Sequence, residues 1–176
     1  MTLLRPATPD DADALAALHV AVWRETYDGL APPEALARLD LAHRRRGWAA
    51  ALADPARRVW LAEGGEGALG LVAVGRPEVP EYAALGTAAG EVKHLYVAAA
   101  ARRTGLGRAL LQQALAGLAA QGCTAAGLGV VRQNYAARAF YAAAGGREVA
   151  DFTDPGPLWR SAMVLVGWDL SAPRPR

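Results

Sequence analysis

The chain has little of several residue types, and each shortage limits what the protein can be. Cys123 is the only cysteine, so no intrachain disulfide can form, which favours a reducing compartment and a cytoplasmic location. Lys93 is the only lysine, although lysine and arginine together number 19. Acidic residues number 17, which leaves a formal charge of only +2. Because the sequence shows no basic stripe with interleaved aromatic residues, we expect no nucleic-acid partner.

Signals for export or membrane insertion are also lacking. The start, MTLLRPATPDDADAL, has no apolar core typical of a signal peptide. Residues 109–131 carry no charge, but three glutamines interrupt them and Gly122 is typical of a helix end. Their alanines and glycines also supply little transfer energy. We therefore expect a buried helix, a turn and a buried strand here, and no membrane partner.

What the chain does contain is a series of alternating strand and helix signals. A length of 176 residues fits one domain, which we place at residues 1–170 with a disordered tail at 171–176. Apolar patterning and turn residues predict strands at 3–5, 58–62, 69–74, 91–97, 125–131, 147–152 and 161–170. Helices are predicted at 8–27, over 33–52 as one helix or two, and at 105–120 and 134–144. Residues 77–90 are predicted to form a loop. The pattern is α+β or mixed α/β.

The stretch RRTGLGRALL, residues 102–111, places two glycines behind two arginines at the predicted start of an apolar helix. The first N–H groups of a helix lack intrahelical partners, and the helix dipole is positive there. Glycines let an anion approach that backbone without a Cβ in the way. The motif predicts a pyrophosphate site whose positive charge comes from Arg102, Arg103 and Arg108. Taken alone, it is explained equally well by an ordinary glycine turn with solvated arginines.

Two familiar phosphate loops do not match this stretch. The P-loop ends in Gly-Lys-Ser/Thr, and the single lysine lies elsewhere in the chain. The dinucleotide fingerprint needs a third glycine where this chain has Leu110, and a tight turn directly after a strand. Residues 98–104 intervene here, so the dinucleotide interpretation is excluded as well.

Two motifs in order resemble one family. Arg102-x-x-Gly105-x-Gly107 is similar to the Q/R-x-x-G-x-G/A acyl-CoA loop of the GNAT superfamily of N-acetyltransferases, and residues 91–97 (EVKHLYV) precede it where that family has its fourth strand. Residues 130–146 resemble the family's N-x-x-A-x-x-F-Y-x-x-x-G motif in register, with Asn134, Ala137, Phe140, Tyr141 and Gly145. Residues 4–30 look like the family's first strand and helices, so the resemblance covers nearly the whole chain.

Three positions depart from the family pattern. Alanines at 98–101 replace a common proline, Arg103 replaces a frequent glycine, and Gly146 replaces an aromatic residue. None of these changes removes a group that the chemistry requires. They concern the shape of the loop and the packing.

The resemblance implies a mixed α/β fold with a central, mostly antiparallel, twisted sheet of six to seven strands flanked by helices. It implies direct transfer of an acetyl group from acetyl-CoA to a primary amine in a ternary complex, with Glu91 as the base and Tyr141 as the acid that protonates the CoA sulfur. The cofactor-binding residues it implies are Leu95, Tyr96, Val97, Arg102, Arg103, Thr104, Gly105, Leu106, Gly107, Arg108, Asn134 and Ala137.

Each role has a simpler alternative. Glu91 could mark the exposed start of a strand, and His94 is a second candidate base, although a lone strand histidine is more often structural. Tyr141 could be a core residue, and Asn134 could be a plain helix cap, or a cap and a ligand together. His19, His43, His94 and Cys123 show no metal-ligand spacing, so we expect no metal.

The acceptor is the least specified part of the interpretation. Trp23, Tyr27 and Trp159 lie where the family builds its acceptor pocket, which involves the loops 23–35, 77–90 and 152–160. A cationic acceptor is favoured by the acidic residues Asp28, Glu34, Asp151 and Asp154. We expect a small amine, an amino acid or a drug-like molecule; the alternatives are a protein N-terminus or lysine, or a non-catalytic acyl-CoA sensor. Family habit makes a homodimer a candidate assembly.

Overall fold

A computed structural model describes residues 2–65 and 67–171. The strands are β1 Leu3–Pro6, β2 Arg58–Gly64, β3 Gly67–Gly75, β4 Ala89–Val97, β5 Ala125–Val131, β6 Arg147–Thr153 and β7 Ala162–Asp169. The helices are α1 Ala12–Tyr27, α2 Pro33–Arg38, α3 Leu41–Ala53, α4 Leu106–Ala120 and α5 Tyr135–Ala143, with 3₁₀ helices at Pro9–Asp11, Pro80–Leu85 and Ala99–Ala101.

The strands form a seven-stranded sheet in the order β1–β2–β3–β4–β5–β7–β6. β4 and β5 pair in parallel, whereas β1 and β2, β5 and β7, and β6 and β7 pair antiparallel. A parallel pair needs a crossover connection, which α4 supplies between β4 and β5. The prediction of a mixed α/β chain with a sheet of six to seven strands flanked by helices is confirmed.

Local sequence signals explain most element boundaries. The backbone N–H of Thr8 donates a hydrogen bond to the Asp11 carboxylate at 2.7 Å, which forms a capping box at the first helical turn. Gly29 follows α1 with φ of 72°, a left-handed conformation that favours glycine. The helical region over 33–52 is two helices, which was one of the two alternatives.

The predicted loop at residues 77–90 differs from the structure, beyond shifts of one or two residues at the ends of other elements. Residues 77–90 are not wholly a loop, because Pro80–Leu85 form a 3₁₀ helix and β4 already begins at Ala89. Pro80 stands at the first turn of this helix, where its fixed φ suits helical geometry. Of the predicted disordered tail, only Ser171 belongs to the described residues. No helix among the residues that the structure describes is long and apolar enough to cross a membrane.

The described part of the chain divides into two compact units. Unit 1 lies within residues 1–73 and 94–113, and unit 2 lies within 74–93 and 114–176. In unit 1, α1 and α3 pack on β2 and β3 around a buried apolar cluster that includes Leu15, Leu18, Val22, Trp48, Val59, Leu61 and Leu71. In unit 2, β5 and β7 supply the fully buried side chains Ala126, Val164, Leu165 and Val166. The assignment of residues 1–170 to one domain stays a prediction.

A histidine is buried among aromatic rings in unit 1. His19 of α1 is only 2% exposed, and its ring centroid lies 5.1 Å from that of His94, 4.6 Å from that of Tyr96 and 5.9 Å from that of Trp48. Its Nδ1 is buried and has no hydrogen-bond partner within residues 2–65 and 67–171. Burial, with smaller effects from His94 and Arg44, lowers the pKa of His19 to about 2. His19 is therefore neutral in the folded protein at any physiological pH.

This burial predicts a loss of stability in mild acid. Below pH 6.5 the unfolded chain protonates His19 and the folded chain does not, so protons favour unfolding. Between pH 7 and pH 5 we expect the free energy of unfolding to fall by about 2 kcal/mol more in the wild type than in His19→Phe. Urea unfolding of both proteins at the two pH values measures this difference.

The Asp11 carboxylate titrates in a separate range. Arg5 donates hydrogen bonds to it and holds its pKa below the usual value, so its stabilisation is lost only below about pH 4, in both proteins. Equal acid sensitivity of the wild type and His19→Phe between pH 7 and pH 5 would contradict the assignment to His19.

Candidate active site

In unit 1, a left-handed turn leads into the amino end of α4. Arg103 has φ of 62° and Gly105 has φ of 91°, and α4 begins at Leu106. A Cβ built on Gly105 would meet nothing within 4 Å, so the space beside this backbone is open. The side chain of Thr104 donates a hydrogen bond to the carbonyl of Ala101 at 2.7 Å, which ties the turn to the preceding 3₁₀ helix. The geometry therefore brings helix N–H groups to an accessible surface.

Arg102 is engaged within the protein rather than extended into solvent. Its guanidinium donates two hydrogen bonds of 2.9 Å to the carboxylate of Glu25 on α1, and its Nε donates to the carbonyl of Val97 at 3.3 Å. A bidentate pair of this kind fixes the orientation of both groups. Arg102 thus ties the start of the turn to α1 and to the end of β4.

The last residues of β4 carry an aromatic cluster. The Tyr96 hydroxyl lies 3.4 Å from Nε2 of His19, and the rings of His94 and Tyr96 stack with centroids 5.8 Å apart. His94 also contacts Trp48, at 5.2 Å between centroids. The side chains of His94 and Tyr96 therefore serve packing in unit 1. Trp23 and Tyr27 of α1 pack against each other, with ring centroids 4.9 Å apart.

In unit 2, Glu91 belongs to a group of ion pairs at β4. The Lys93 ammonium lies 2.5 Å from a Glu91 carboxylate oxygen and 2.8 Å from a Glu78 carboxylate oxygen. The Lys93 side chain is 6% exposed, that of Glu91 is 17% exposed and that of Glu78 is 63% exposed. Glu91 is therefore a partly buried carboxylate with a cation beside it, and it is not merely the exposed start of a strand.

Tyr82 of the 3₁₀ helix Pro80–Leu85 lies close to Glu91. Its ring packs against β5, because a Cβ built on Gly127 would lie 2.6 Å from a Tyr82 ring carbon. The Tyr82 hydroxyl is buried, and among the described residues it has no hydrogen-bond partner of good geometry. Burial is the main cause that raises the pKa of Tyr82 above its ordinary value, and the negative charge of Glu91 adds to this. Tyr82 therefore stays protonated beside the Glu91 carboxylate.

The second motif forms the start and the buried face of α5. The Asn134 side-chain oxygen accepts a hydrogen bond from the Ala137 backbone N–H at 3.2 Å, so Asn134 caps the helix. The cap uses the carbonyl oxygen, while Nδ2 carries the donors of the amide. Tyr141 is 6% exposed, and its ring makes edge contacts with Phe140 at 5.2 Å and Trp168 at 5.9 Å.

A tryptophan of β7 explains one departure from the family pattern. A Cβ built on Gly146 would lie 2.6 Å from a methyl of Val166 and 2.7 Å from the Trp168 ring. Trp168 itself donates a hydrogen bond to the carbonyl of Ala144 at 3.1 Å. Trp168 therefore fills the space next to Gly146, and a side chain at 146 would clash. Trp159 precedes β7, and its carbonyl accepts a hydrogen bond from Ser161.

Sequence reasoning missed Lys93, Glu78 and Tyr82. Lys93 stands two residues after Glu91 on one strand, so strand periodicity already places both on one face. Pro80 followed by Glu81 was a signal for the short helix that carries Tyr82. Glu78 had no comparable signal. Across residues 2–65 and 67–171, no group of three His, Cys, Asp or Glu side chains could hold a metal ion.

A family model for the acetyltransferase (GNAT) family matches residues 17–145, which is most of the chain. The chain belongs to the GNAT acetyltransferase family. The turn at 102–108 and the segment 134–145 both lie within the matched residues. No curated protein sequence matches the chain closely enough to count as a relative.

Solved structures share the fold of this GNAT chain. PaiA N-acetyltransferase from Thermoplasma acidophilum, in complex with coenzyme A, has a TM-score of 0.73 at 16% identity and covers 96% of this chain and 99% of its own. YncA of Salmonella typhimurium, a putative acetyltransferase with acetyl-CoA, has a TM-score of 0.71 at 18% identity and covers 100% of this chain and 98% of its own. A ribosomal-protein-alanine N-acetyltransferase from Brucella melitensis has a TM-score of 0.70 at 22% identity and covers 95% of this chain and 99% of its own.

The tight packing at Gly146 predicts that a single methyl group is harmful there. Gly146→Ala should lower the free energy of unfolding by about 1–3 kcal/mol, because the methyl would overlap Val166 and Trp168. The matched control is Gly47→Ala in α3, where a Cβ meets nothing within 4 Å and the helix should gain about 0.5–1 kcal/mol. Urea denaturation compares the two variants, and equal midpoints for them would contradict the packing argument.

Proposed function

We propose that this GNAT protein transfers the acetyl group of acetyl-CoA directly to a primary amine bound in a ternary complex. The observation that carries the proposal is the left-handed turn at Arg103 and Gly105, which delivers the backbone to the amino end of α4 with open space beside it. Such a helix start suits a pyrophosphate group, because its N–H groups and dipole favour an anion.

The residues of the turn fit coenzyme A. The backbone N–H groups of residues 103–108 would hold the pyrophosphate, and Arg103 and Arg108 would add charge. Arg102 contributes by holding the turn against Glu25. Backbone groups of residues 95–97 and the Nδ2 donor of Asn134 would hold the pantetheine arm. When bound, acetyl-CoA supplies an acetyl thioester that an amine can attack.

Glu91 is the proposed base. A primary ammonium has a pKa of about 10, so it must lose a proton before it can attack. The Glu91 carboxylate is partly buried, which strengthens its attraction for a cationic amine and positions it to accept the proton. Acidic residues of the predicted acceptor loops, Asp28 and Glu34 in unit 1 and Asp151 and Asp154 in unit 2, would also favour a cationic acceptor.

Tyr141 is the proposed acid for the departing sulfur. Its ring is fixed by edge contacts with Phe140 and Trp168, which leaves the phenol little freedom to reorient. A phenol with an ordinary pKa of about 10 can donate a proton or a hydrogen bond to a thiolate.

Cys123 supports direct transfer over an acetyl-cysteine route. Burial raises the pKa of its thiol, so little thiolate forms at neutral pH. Its sulfur also packs near Gly90, where a Cβ would lie 3.0 Å from it. Since Cys123 is the only cysteine, no other thiol could carry the acetyl group.

The activity is tested by thiol release from acetyl-CoA with a panel of acceptors. The panel includes polyamines, amino acids, aminoglycosides and short peptides with an N-terminal alanine. We expect turnover with at least one amine, and a decrease of about 10²–10⁴-fold in kcat for Glu91→Gln, since a positioned base contributes that much. Acetyl-CoA affinity should stay unchanged.

Glu148→Gln is the matched control, because Glu148 is an exposed carboxylate of unit 2 that pairs with Arg138. Wild-type turnover in Glu91→Gln would show that Glu91 is not the base. Acetyl-CoA binding without turnover on any acceptor would favour the sensor alternative.

The pyrophosphate assignment predicts a selective effect at Gly105. Gly105→Ala and Gly122→Ala both place a side chain at positive φ, 91° and 86°, with nothing within 4 Å of the new Cβ. Both should therefore lose a similar stability of about 1–2 kcal/mol. Only Gly105→Ala should weaken acetyl-CoA binding, by on the order of tenfold or more, because only its methyl would stand over the anion. Calorimetric titration measures the affinity, and an equal affinity of the two variants would refute the assignment.

A further inference from the structure

The single lysine of the chain lies between two carboxylates. The Lys93 side chain is 6% exposed, and its ammonium is 2.5 Å from Glu91 and 2.8 Å from Glu78. A buried ammonium is unfavourable unless its charge and its hydrogen bonds are compensated. Glu78 and Glu91 supply this compensation from two segments of unit 2, so the three groups form one charge cluster with a net charge of −1.

Lysine suits this position better than arginine. The other 18 of the 19 basic residues are arginines, so position 93 is an exception to the composition of the chain. An ammonium is a compact charge with three donors, whereas a guanidinium is a planar fork. The guanidinium of Arg5 also bridges two carboxylates, those of Asp11 and Glu63, but it does so with a longer and planar group. At position 93 such a group would require a different placement of the Glu91 and Glu78 carboxylates.

We infer that Lys93 is a positioning residue that fixes the Glu91 carboxylate in the place where it accepts the proton, while Glu78 holds the Lys93 ammonium from another segment of unit 2. The inference rests on the proposed function, in which Glu91 is the base. Strand geometry supports it, since residues 91 and 93 of β4 share one face. The hydrogen bond from Lys93 orients one oxygen of the Glu91 carboxylate.

The charges around Glu91 predict the direction in which each substitution should act. Lys93→Met takes a positive charge away from beside Glu91, whereas Glu78→Gln takes away a negative charge of the same cluster. Tyr82, which approaches from the 3₁₀ helix, stays neutral because its pKa is raised. Removal of Lys93 and removal of Glu78 should therefore move the protonation of Glu91 in opposite directions.

The kinetic test compares Lys93→Met, Lys93→Arg and Glu78→Gln. The profile of kcat/KM against pH has an acidic limb, which Glu91→Gln should remove. In Lys93→Met this limb should move to higher pH, because a positive charge beside the carboxylate is lost. In Glu78→Gln it should move down. Lys93→Arg keeps the charge but displaces the carboxylate, so the limb should stay in place while kcat falls by about tenfold. The KM for acetyl-CoA should be unchanged in all three.

A purely structural role predicts a different pattern, in which all three variants lose activity and no limb moves. That result, or limbs of Lys93→Met and Glu78→Gln that move in the same direction, would overturn the inference. Should Lys93→Met fail to fold, Glu78→Gln still tests the direction in which the acidic limb moves, because it keeps both Lys93 and Glu91.

A second measurement needs no turnover. Because the chain has one lysine, protein labelled with ¹⁵N and ¹³C in lysine gives a single side-chain ammonium signal. This signal should shift in Glu91→Gln and in Glu78→Gln, and should stay in place in the control Glu148→Gln. A lysine signal that keeps its position in both variants would refute the charge cluster itself. An inactive wild type whose lysine signal still responds would reject the proposed function and leave the cluster intact.

Discussion

The parallel ladder between β4 and β5 is the constraint on which the rest of the site depends. It joins Ala89–Glu91 to Ala125–Gly127, and two of its members are glycines in tight surroundings. A Cβ on Gly90 would lie 2.5 Å from Leu118 of α4, and one on Gly127 would lie 2.6 Å from Leu85 and from Tyr82. The ladder thus brings the crossover helix close on one side and the 3₁₀ helix close to β5. A side chain at either glycine would force side chains of one of these helices to move.

The register of that ladder decides the surroundings of Glu91. Glu91 pairs with Gly127, whose missing side chain makes the room that the Tyr82 ring fills. Tyr82 in turn helps to exclude water from the Glu91 carboxylate, and the lower local dielectric strengthens the attraction of Lys93 for it. A glycine on one strand therefore sets the electrostatics of a carboxylate on the next. This dependence passes through the packing of the Tyr82 ring.

The parts of the site that the sequence predicted are those encoded along the chain. The bounds of β5, the cap at Asn134 and the helix start after Gly105 follow from apolar periodicity, capping chemistry and glycine conformation, which act within a few residues. The contacts of Glu91 were not predicted. Residues 77–90 lack apolar periodicity, and Glu78 and Tyr82 come close to β4 only when the chain is folded. The pair of Arg102 and Glu25 spans 77 positions, a distance over which no local pattern carries information. The Arg103 departure became clear only with its φ of 62°, which is the conformation that a glycine would adopt more easily.

The two candidate bases, His94 and Glu91, have different neighbours. Around His19 and His94 the neighbours are aromatic rings, and the proximity of His94 helps to lower the pKa of His19. Glu91 instead lies in a cluster that holds a cation and a second carboxylate. A proton accepted by Glu91 would remove one negative charge from this cluster, so the proposal of Glu91 as the base draws on charged neighbours that are already in place.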